Sequence, residues 1–455
     1  MSIKRANAPA SITNYDAPMD SHAKLVAIAM ALFAAFGGVT SLGPKKWATG
    51  SGFSESSKAM GATGKLSTAS DALVTSILSV GTFTGALLAY PFGDFCVALQ
   101  TASTTVPVFS VGRVFAGLGV GLISCLVPMY QSECAPKWIR GAIVSCYQWA
   151  ITIGLLVAAI VVQLTKDIDN PNSYRIPIGI QFVWAFILSM GLYFLPESPK
   201  YLILKGREQE AKVSLGRLLS LPPHSDFVQK EFEEVNESLQ TERIHASSSY
   251  MDCFRSGPGK YRLRTLTGMS IQALQQLSGF FRNSGINNAF LTTIITNVVN
   301  VLMTIPGIWL VDKAGRRSLL LIGAGPIAWV VTSEIYPLSI RAKAMSMSTA
   351  SNWAWNFAIG YSTPYLVDTG AGKAGLQSKV FFIWGAFCAL CFLFTFFFIP
   401  ETKGLSLEQV DQLYMNSSII GSNAYRRKLL TGNVRHSSND SRSVVEDALE
   451  EKTVK

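Results

Sequence analysis

Charge is scarce in this chain. Asp, Glu, Lys and Arg together make up 15% of its 455 residues, against about 25% in an ordinary soluble domain. Hydrophobic residues make up 49%, and the mean hydropathy is +0.30. The apolar residues gather in runs, and a helix that crosses a bilayer takes about 20 of them. A soluble globular class is thereby excluded. Histidine is scarcer still. The four present, His22, His224, His245 and His436, all lie outside the apolar runs, so neither a metal centre nor any cofactor is expected. The seven cysteines are scattered. Cys388 and Cys391 form a CxxC inside the last apolar run, with no second pair and no nearby His, which reads as small apolar residues on a membrane helix. No cleavable leader is expected, because the polar stretch before Leu25 is long and carries the acids Asp16 and Asp20. A true phosphate loop is lacking too. Gly61 to Leu66 (GATGKL) resembles one, but Ala59 and Leu66 stand where Gly and Ser or Thr are needed. No nucleophile–base set is visible, so no enzyme is expected.

The formal net charge is +10. Lys and Arg collect between the apolar runs, as membrane orientation requires. No basic stripe with interleaved aromatics appears, which argues against a nucleic-acid partner. After an N-terminal tail (1–24), expected on the cytoplasmic side, apolar runs fill 25–195. They are a short one from Leu25 to Val39, full ones at Ala72–Phe92, Val106–Tyr130, Ala142–Leu164 and Ile176–Leu195, and a fragment at Phe95–Ala102. A polar, basic segment (196–264) with acids between Glu231 and Glu237 reads as amphipathic cytoplasmic helices. Residues 265–400 repeat the scheme with runs at Leu266–Phe281, Ala289–Val311, Ser318–Tyr336, Ala344–Val367 and Val380–Pro400. The tail (401–455) is polar and Ser-rich, and its end reads as disordered.

The two halves share a spacing. Glu133, Pro136 and Arg140 recur as Glu334, Pro337 and Arg341, and Pro196-Glu197-Ser198 recurs as Pro400-Glu401-Thr402. Such an internal repeat points to two equivalent bundles. Each Glu and Arg sits where a span meets a basic loop, where a carboxylate and a guanidinium can pair at lower cost than either alone. Asp312, Arg316 and Arg317 form a further charged group of this kind. Ordinary loop charge is the alternative.

These residues resemble the sugar porter branch of the major facilitator superfamily, most closely fungal hexose transporters. The matching segments are Gly112-Arg113, ECAPKWIRG from Glu133, PESPKYL from Pro196, QALQQLSG from Gln272, DKAGRR from Asp312, GPIAWVVTSEIYPLSIRAKA from Gly325 and PETKGLSLEQV from Pro400. The resemblance implies an all-α, multi-pass protein of the plasma membrane, a monomeric unit of two homologous six-helix bundles. Its ligand would be a monosaccharide, such as glucose, moved by alternating access and in many members together with a proton. Contact positions of the family fall on Gln148, Gln275, Gln276, Asn300, Trp329 and Asn352. Amides suit a sugar because each hydroxyl is both donor and acceptor, and an indole can cover its apolar face. Each of these residues could instead bond helix to helix. Arg113 corresponds to the arginine that partners a first-helix Asp in proton-coupled members.

The chain departs from the family at four places, after Gly38, Phe95, Gly279 and Ala324. There whole blocks are missing, including the run that carries the first-helix Asp. Of 12 nominal spans about 10 remain. Skipped exons or a misjoined gene model would produce such clean losses. With Ser318–Tyr336 counted as one span, the basic loops at Arg317 and Arg341 would face opposite sides. That conflict predicts retention in the endoplasmic reticulum and no transport. A membrane sugar sensor is a further alternative. The tail after Leu413, about forty residues with no repeated docking motif, favours a transporter over it.

Overall fold

The computed structural model of the chain describes residues 79–84, 106–135, 139–165, 176–177, 179–180, 183, 196–219, 221–244, 249–257, 259–278, 289–323, 327–367, 369, 372–419 and 421–431. The first apolar run, the GATGKL stretch, the fragment at Phe95–Ala102, most of Ile176–Leu195, the four block junctions and the end of the tail lie outside them. Among the described residues every regular element is a helix.

The first half contributes α1 (Val106–Cys134) and α2 (Arg140–Thr165). The polar middle forms α3 (Pro199–Leu204), α4 (Glu208–Leu219) and α5 (Asp226–Ile244). Leu202, Ile203, Ala211, Phe232 and Leu239 close a small core among these three, while their charged faces point outward, as amphipathic surface helices do. The second half runs through α6 (Tyr261–Ser278), α7 (Ala289–Ala314), α8 (Arg316–Ile322), α9 (Ile327–Glu334), α10 (Leu338–Val367) and α11 (Val380–Phe398). Two tail helices follow, α12 (Leu407–Asn416) and α13 (Ser422–Leu430). Ser406 opens α12 with a capping box, accepting from the Gln409 backbone while the Gln409 side chain accepts in return.

Among the described residues, three helices are long and apolar enough to cross a membrane: Arg140–Thr165, Ile294–Ala314 and Val380–Phe398. The latter two expose most of their apolar side chains, Phe382 at 82%. Such faces belong against lipid. The two halves meet where α2 packs on α7. Trp149 Nε1 donates to the Val301 carbonyl at 3.2 Å, and Asn297 Nδ2 to the Leu155 carbonyl at 3.3 Å.

The stretch expected to be one span from Ser318 to Tyr336 is not one. It is two short helices, α8 of 7 residues and α9 of 8. At 1.5 Å per residue neither reaches much beyond about 12 Å of a hydrocarbon layer about 30 Å thick. Gly323 closes α8 in the left-handed region at φ 91°. The chain then doubles back, so that Glu334 at the end of α9 lies 3.0 Å from Arg316 at the start of α8. Both ends of the hairpin are therefore on one side. This geometry does not require a crossing between Arg317 and Arg341, which removes the ground for the inversion expected from the sequence there. All eight residues of α9 are buried. Ile327 to Val331 belong to an extended core cluster, which takes in Val127 of α1, Tyr147 of α2, Ile271 of α6, Leu319 of α8, Met345 of α10 and Leu413 of α12. These five consecutive apolar residues of α9 leave no side of that stretch for water and need such a place. Arg264, fully buried on α6, pairs with Asp411 of α12 and lies 4.3 Å from the Tyr414 ring centre, tying the tail to this core.

Gly315, between α7 and α8, sits at φ 96°, and a Cβ there would come 2.3 Å from Glu401 Oε2. Gly315→Ala should therefore lose about 1–3 kcal/mol through backbone strain and collision. Gly307→Ala, with nothing near the added carbon, should lose nothing measurable. Thermal unfolding in detergent reads both, and equal melting temperatures would contradict this account of the turn.

Candidate functional site

Two polar clusters stand out, one neutral and one charged. The neutral one lies between α6 and α10. The run Gln272-x-x-Gln275-Gln276 places three amides on α6, and Asn352 with Asn356 places two more one turn apart on α10. Asn352 Nδ2 donates to Gln272 Oε1 at 2.8 Å and to Gln275 Oε1 at 3.3 Å. Gln276 Nε2 donates to Asn352 Oδ1 at 2.8 Å, and Asn356 Nδ2 to Gln276 Oε1 at 3.1 Å. The network extends at both ends. Gln272 Nε2 donates to Thr332 Oγ1 of α9 at 3.1 Å, and Ser79 Oγ, from the first half, donates to Asn356 Oδ1 at 2.7 Å. Among these bonds of the described residues no carboxylate takes part. Each amide offers donors and an acceptor, so the members of the cluster can bond to one another. Any of its links can also be exchanged for a hydroxyl that is donor and acceptor at once.

The sequence-derived positions divide here. Gln275, Gln276 and Asn352 are brought together. Trp329 is buried, 5.1 Å from Tyr147 between ring centres in an edge-to-face pair. It is linked to the network through Thr332, whose hydroxyl donates to the Trp329 carbonyl. Gln148 is half-buried on α2 and Asn300 exposed on α7, and neither is hydrogen-bonded to the network. Arg113 lies on α1, and its side chain is outside the described residues. Sequence reasoning missed Gln272 and Ser79 as members. The i, i+4 relation of Gln272 to Gln276 was a usable signal for the first; Ser79 carried none.

The charged cluster gathers the motif residues at the basic ends of the helices. Arg316 is 2% exposed and reaches Glu334 through two nitrogens, at 3.0 and 3.3 Å. Asp312 lies 3.0 Å from its third nitrogen. Burial opposes the Arg316 charge, but Glu334 and Asp312 outweigh it and hold the pKa above the usual guanidinium value. Glu401 accepts from the backbone nitrogens of Arg316, Arg317 and Lys403 at 2.9–3.1 Å.

The repeat in the sequence has a counterpart in these bonds. Ser198 donates to Glu133 at 2.9 Å in the first half, and Thr402 donates to Glu334 at 2.7 Å in the second. Other contacts cross between the halves. Arg341 faces Glu133 at 3.9 Å while holding the Tyr336 carbonyl, and Asp312 Oδ2 accepts from the Ala142 backbone at 2.9 Å. Gly141 leaves the room for that approach, since a Cβ there would stand 2.6 Å from Asp312. Arg140, buried at the start of α2, belongs to the same end.

With this geometry in hand, comparisons with known proteins can be set beside it. The sequence model of the family described as "Sugar (and other) transporter" matches residues 30–325 and 322–414. The major facilitator-type transporter ecdD of Aspergillus rugulosus is 44% identical over 433 residues, covering 78% of this chain and 80% of that protein. That alignment is longer than the part of this chain it covers, so the relative has stretches without counterpart here. The probable glucose transporter rco-3 of Neurospora crassa is 40% identical over 75% of this chain and 70% of its own length. The high glucose sensor RGT2 of Saccharomyces cerevisiae is 38% identical, and this chain spans 56% of its length. Among solved structures, the major facilitator proton:xylose symporter XylE bound to 6-bromo-6-deoxy-D-glucose matches with a TM-score of 0.69. It is 25% identical, covering 87% of this chain and 99% of that one.

Removing one partner of a buried ion pair strands the other, at about 3–5 kcal/mol. Glu334→Gln should therefore lower stability by about 3 kcal/mol or more. The double change Arg316→Met with Glu334→Leu should lose less than the single one. Chemical denaturation in detergent ranks the three proteins; a neutral Glu334→Gln would show that the pair is not holding the hairpin.

Proposed function

This chain belongs to the sugar transporter family, and from that premise we propose that it carries a hexose across the plasma membrane by alternating access, without proton coupling. Family and fold are those of transporters rather than enzymes. The observation that carries the sugar assignment is the neutral network of Gln272, Gln275, Gln276, Asn352, Asn356 and Ser79. A sugar entering it trades amide–amide bonds for amide–hydroxyl bonds of the same kind, so no buried group is left without a partner. A charged substrate would find no counter-ion there. Gln148, Asn300 and Trp329 stand outside these bonds; Gln148 and Asn300 would reach a sugar only after α2 and α7 move, and Trp329 only after α9 turns.

Alternation needs an end that opens. The contacts of Asp312 with Ala142 and of Arg341 with Glu133 join the halves at the basic end. Two of the four residues are half-buried carboxylates, so the rupture of these contacts is a modest step compared with parting α2 from α7. The lack of proton coupling rests on acid placement. Residues 25–39 hold no Asp or Glu to partner Arg113, and the amide network has no carboxylate. A monomer is sufficient as the transport unit. The similarity to a glucose sensor supports a second reading, in which sugar is bound but not moved.

In a yeast lacking its own hexose carriers, the 455-residue chain should take up labelled glucose. Gln276→Ala should raise the KM about tenfold with unchanged surface level, the loss expected when a hydroxyl partner is removed. Parent-like kinetics in that variant would remove Gln276 from the site. Surface protein that binds glucose yet moves none would select the sensor.

In the same cells, adding sugar should leave the external pH unchanged. Alkalinisation of the medium in step with uptake would contradict uncoupled transport.

A further inference from the structure

Between α8, the end of α11 and α13 lies a cavity of about 380 Å³ that neither the amide network nor the hairpin accounts for. Its wall carries three cations, Arg317, Lys403 and Arg426, and one carboxylate, Glu401. Glu401 is already engaged, because its oxygens accept from three backbone nitrogens. The cations are held by carbonyls rather than by acids. Arg317 donates to the Phe396 carbonyl at 2.7 Å, Arg426 to the Lys403 carbonyl at 2.8 Å, and Lys403 to the Lys313 carbonyl. Arg317 Nε is buried without a hydrogen-bond partner. Burial presses the Arg426 pKa down; Glu401 opposes this, while Arg316 and Arg427 add to it. Among the described residues the cavity thus holds more positive charge than its lining neutralises.

One side of the cavity is apolar. Leu321 and Phe396 belong to its lining, and next to them Ile322 is 81% exposed and Phe397 52% exposed, on the Phe-rich outer face of α11. A cation-lined hollow that opens onto a lipid-facing apolar wall suits a molecule with a phosphate at one end and acyl chains at the other. We propose that this cavity binds the phosphate of an anionic phospholipid of the basic-side leaflet, held by Arg317, Lys403 and Arg426, with its chains along Leu321, Ile322 and Phe397. Bridging α8 to α13, the lipid would fasten the hairpin to the tail.

Native mass spectrometry of the full chain released from detergent tests this with phosphatidylglycerol, phosphatidylcholine and inorganic phosphate as separate probes. Phosphatidylglycerol should be retained about tenfold over phosphatidylcholine, as charge-assisted bonds to two or three cations imply. Lys403→Gln with Arg426→Gln should abolish that preference, and Arg426→Lys alone should keep it. Equal retention of the two lipids by the parent would overturn the proposal without any variant. So would a folded double-Gln protein with the preference intact, or inorganic phosphate binding in a parent that does not discriminate between the lipids.

Discussion

The bidentate pair between Arg316 and Glu334 is the interaction on which the rest of this structure depends. It joins two residues 18 positions apart and so makes a hairpin of α8 and α9. Without it the segment would be one apolar run of ambiguous fate, too long for a loop and without a partner span. With it, both ends stay at the basic side and the helices after it keep an orientation compatible with their flanking charges. Because α9 is returned into the bundle, its apolar surface becomes part of the core that α1, α2, α6, α10 and α12 share. The pair also sets the surroundings of Asp312, Glu401 and Thr402, each of which bonds to Arg316, to its backbone or to Glu334.

The division of polar groups has a physical logic. Ionised groups sit at one end, where each carboxylate has a guanidinium or backbone nitrogens and the cost of leaving water is offset. Deeper, between α6 and α10, the described network is made of amides and hydroxyls, whose burial costs little once their bonds are made. A bundle of this kind holds itself together at the charged end while keeping an exchangeable neutral interior. The two are linked through α9, which carries Glu334 at its end and Thr332, the partner of Gln272, within the same turn.

Much of this was legible in the sequence, for stated reasons. The equal spacing of Glu133-Arg140 and Glu334-Arg341 and the recurrence of Pro-Glu-Ser as Pro-Glu-Thr announced two halves, and the matched bonds of Ser198 and Thr402 are the structural form of that repeat. Gln275 and Gln276 drew notice through their match to the paired glutamines of the family, and the structure brings them together with Asn352 in one neutral network. The hairpin was not legible. An apolar window from Ser318 to Tyr336 has the composition of a span, and the break at Gly323 is one glycine among many. Only the distance between Arg316 and Glu334 separates a crossing from a return. Pairing of Arg341 with Glu133, across the halves rather than within a motif, depends on tertiary placement that spacing cannot encode. The inclusion of Ser79 does so as well.

The claim that the 316–334 segment returns without crossing is tested most directly by sidedness. In a cysteine-free version of the chain, Lys313→Cys lies before the hairpin and Ala342→Cys after it, and both positions are exposed. In sealed, oriented vesicles a membrane-impermeant maleimide should label both cysteines from the same face. Labelling of the two from opposite faces would mean that the segment spans the membrane, and the account of the fold given by the Arg316–Glu334 pair would be wrong.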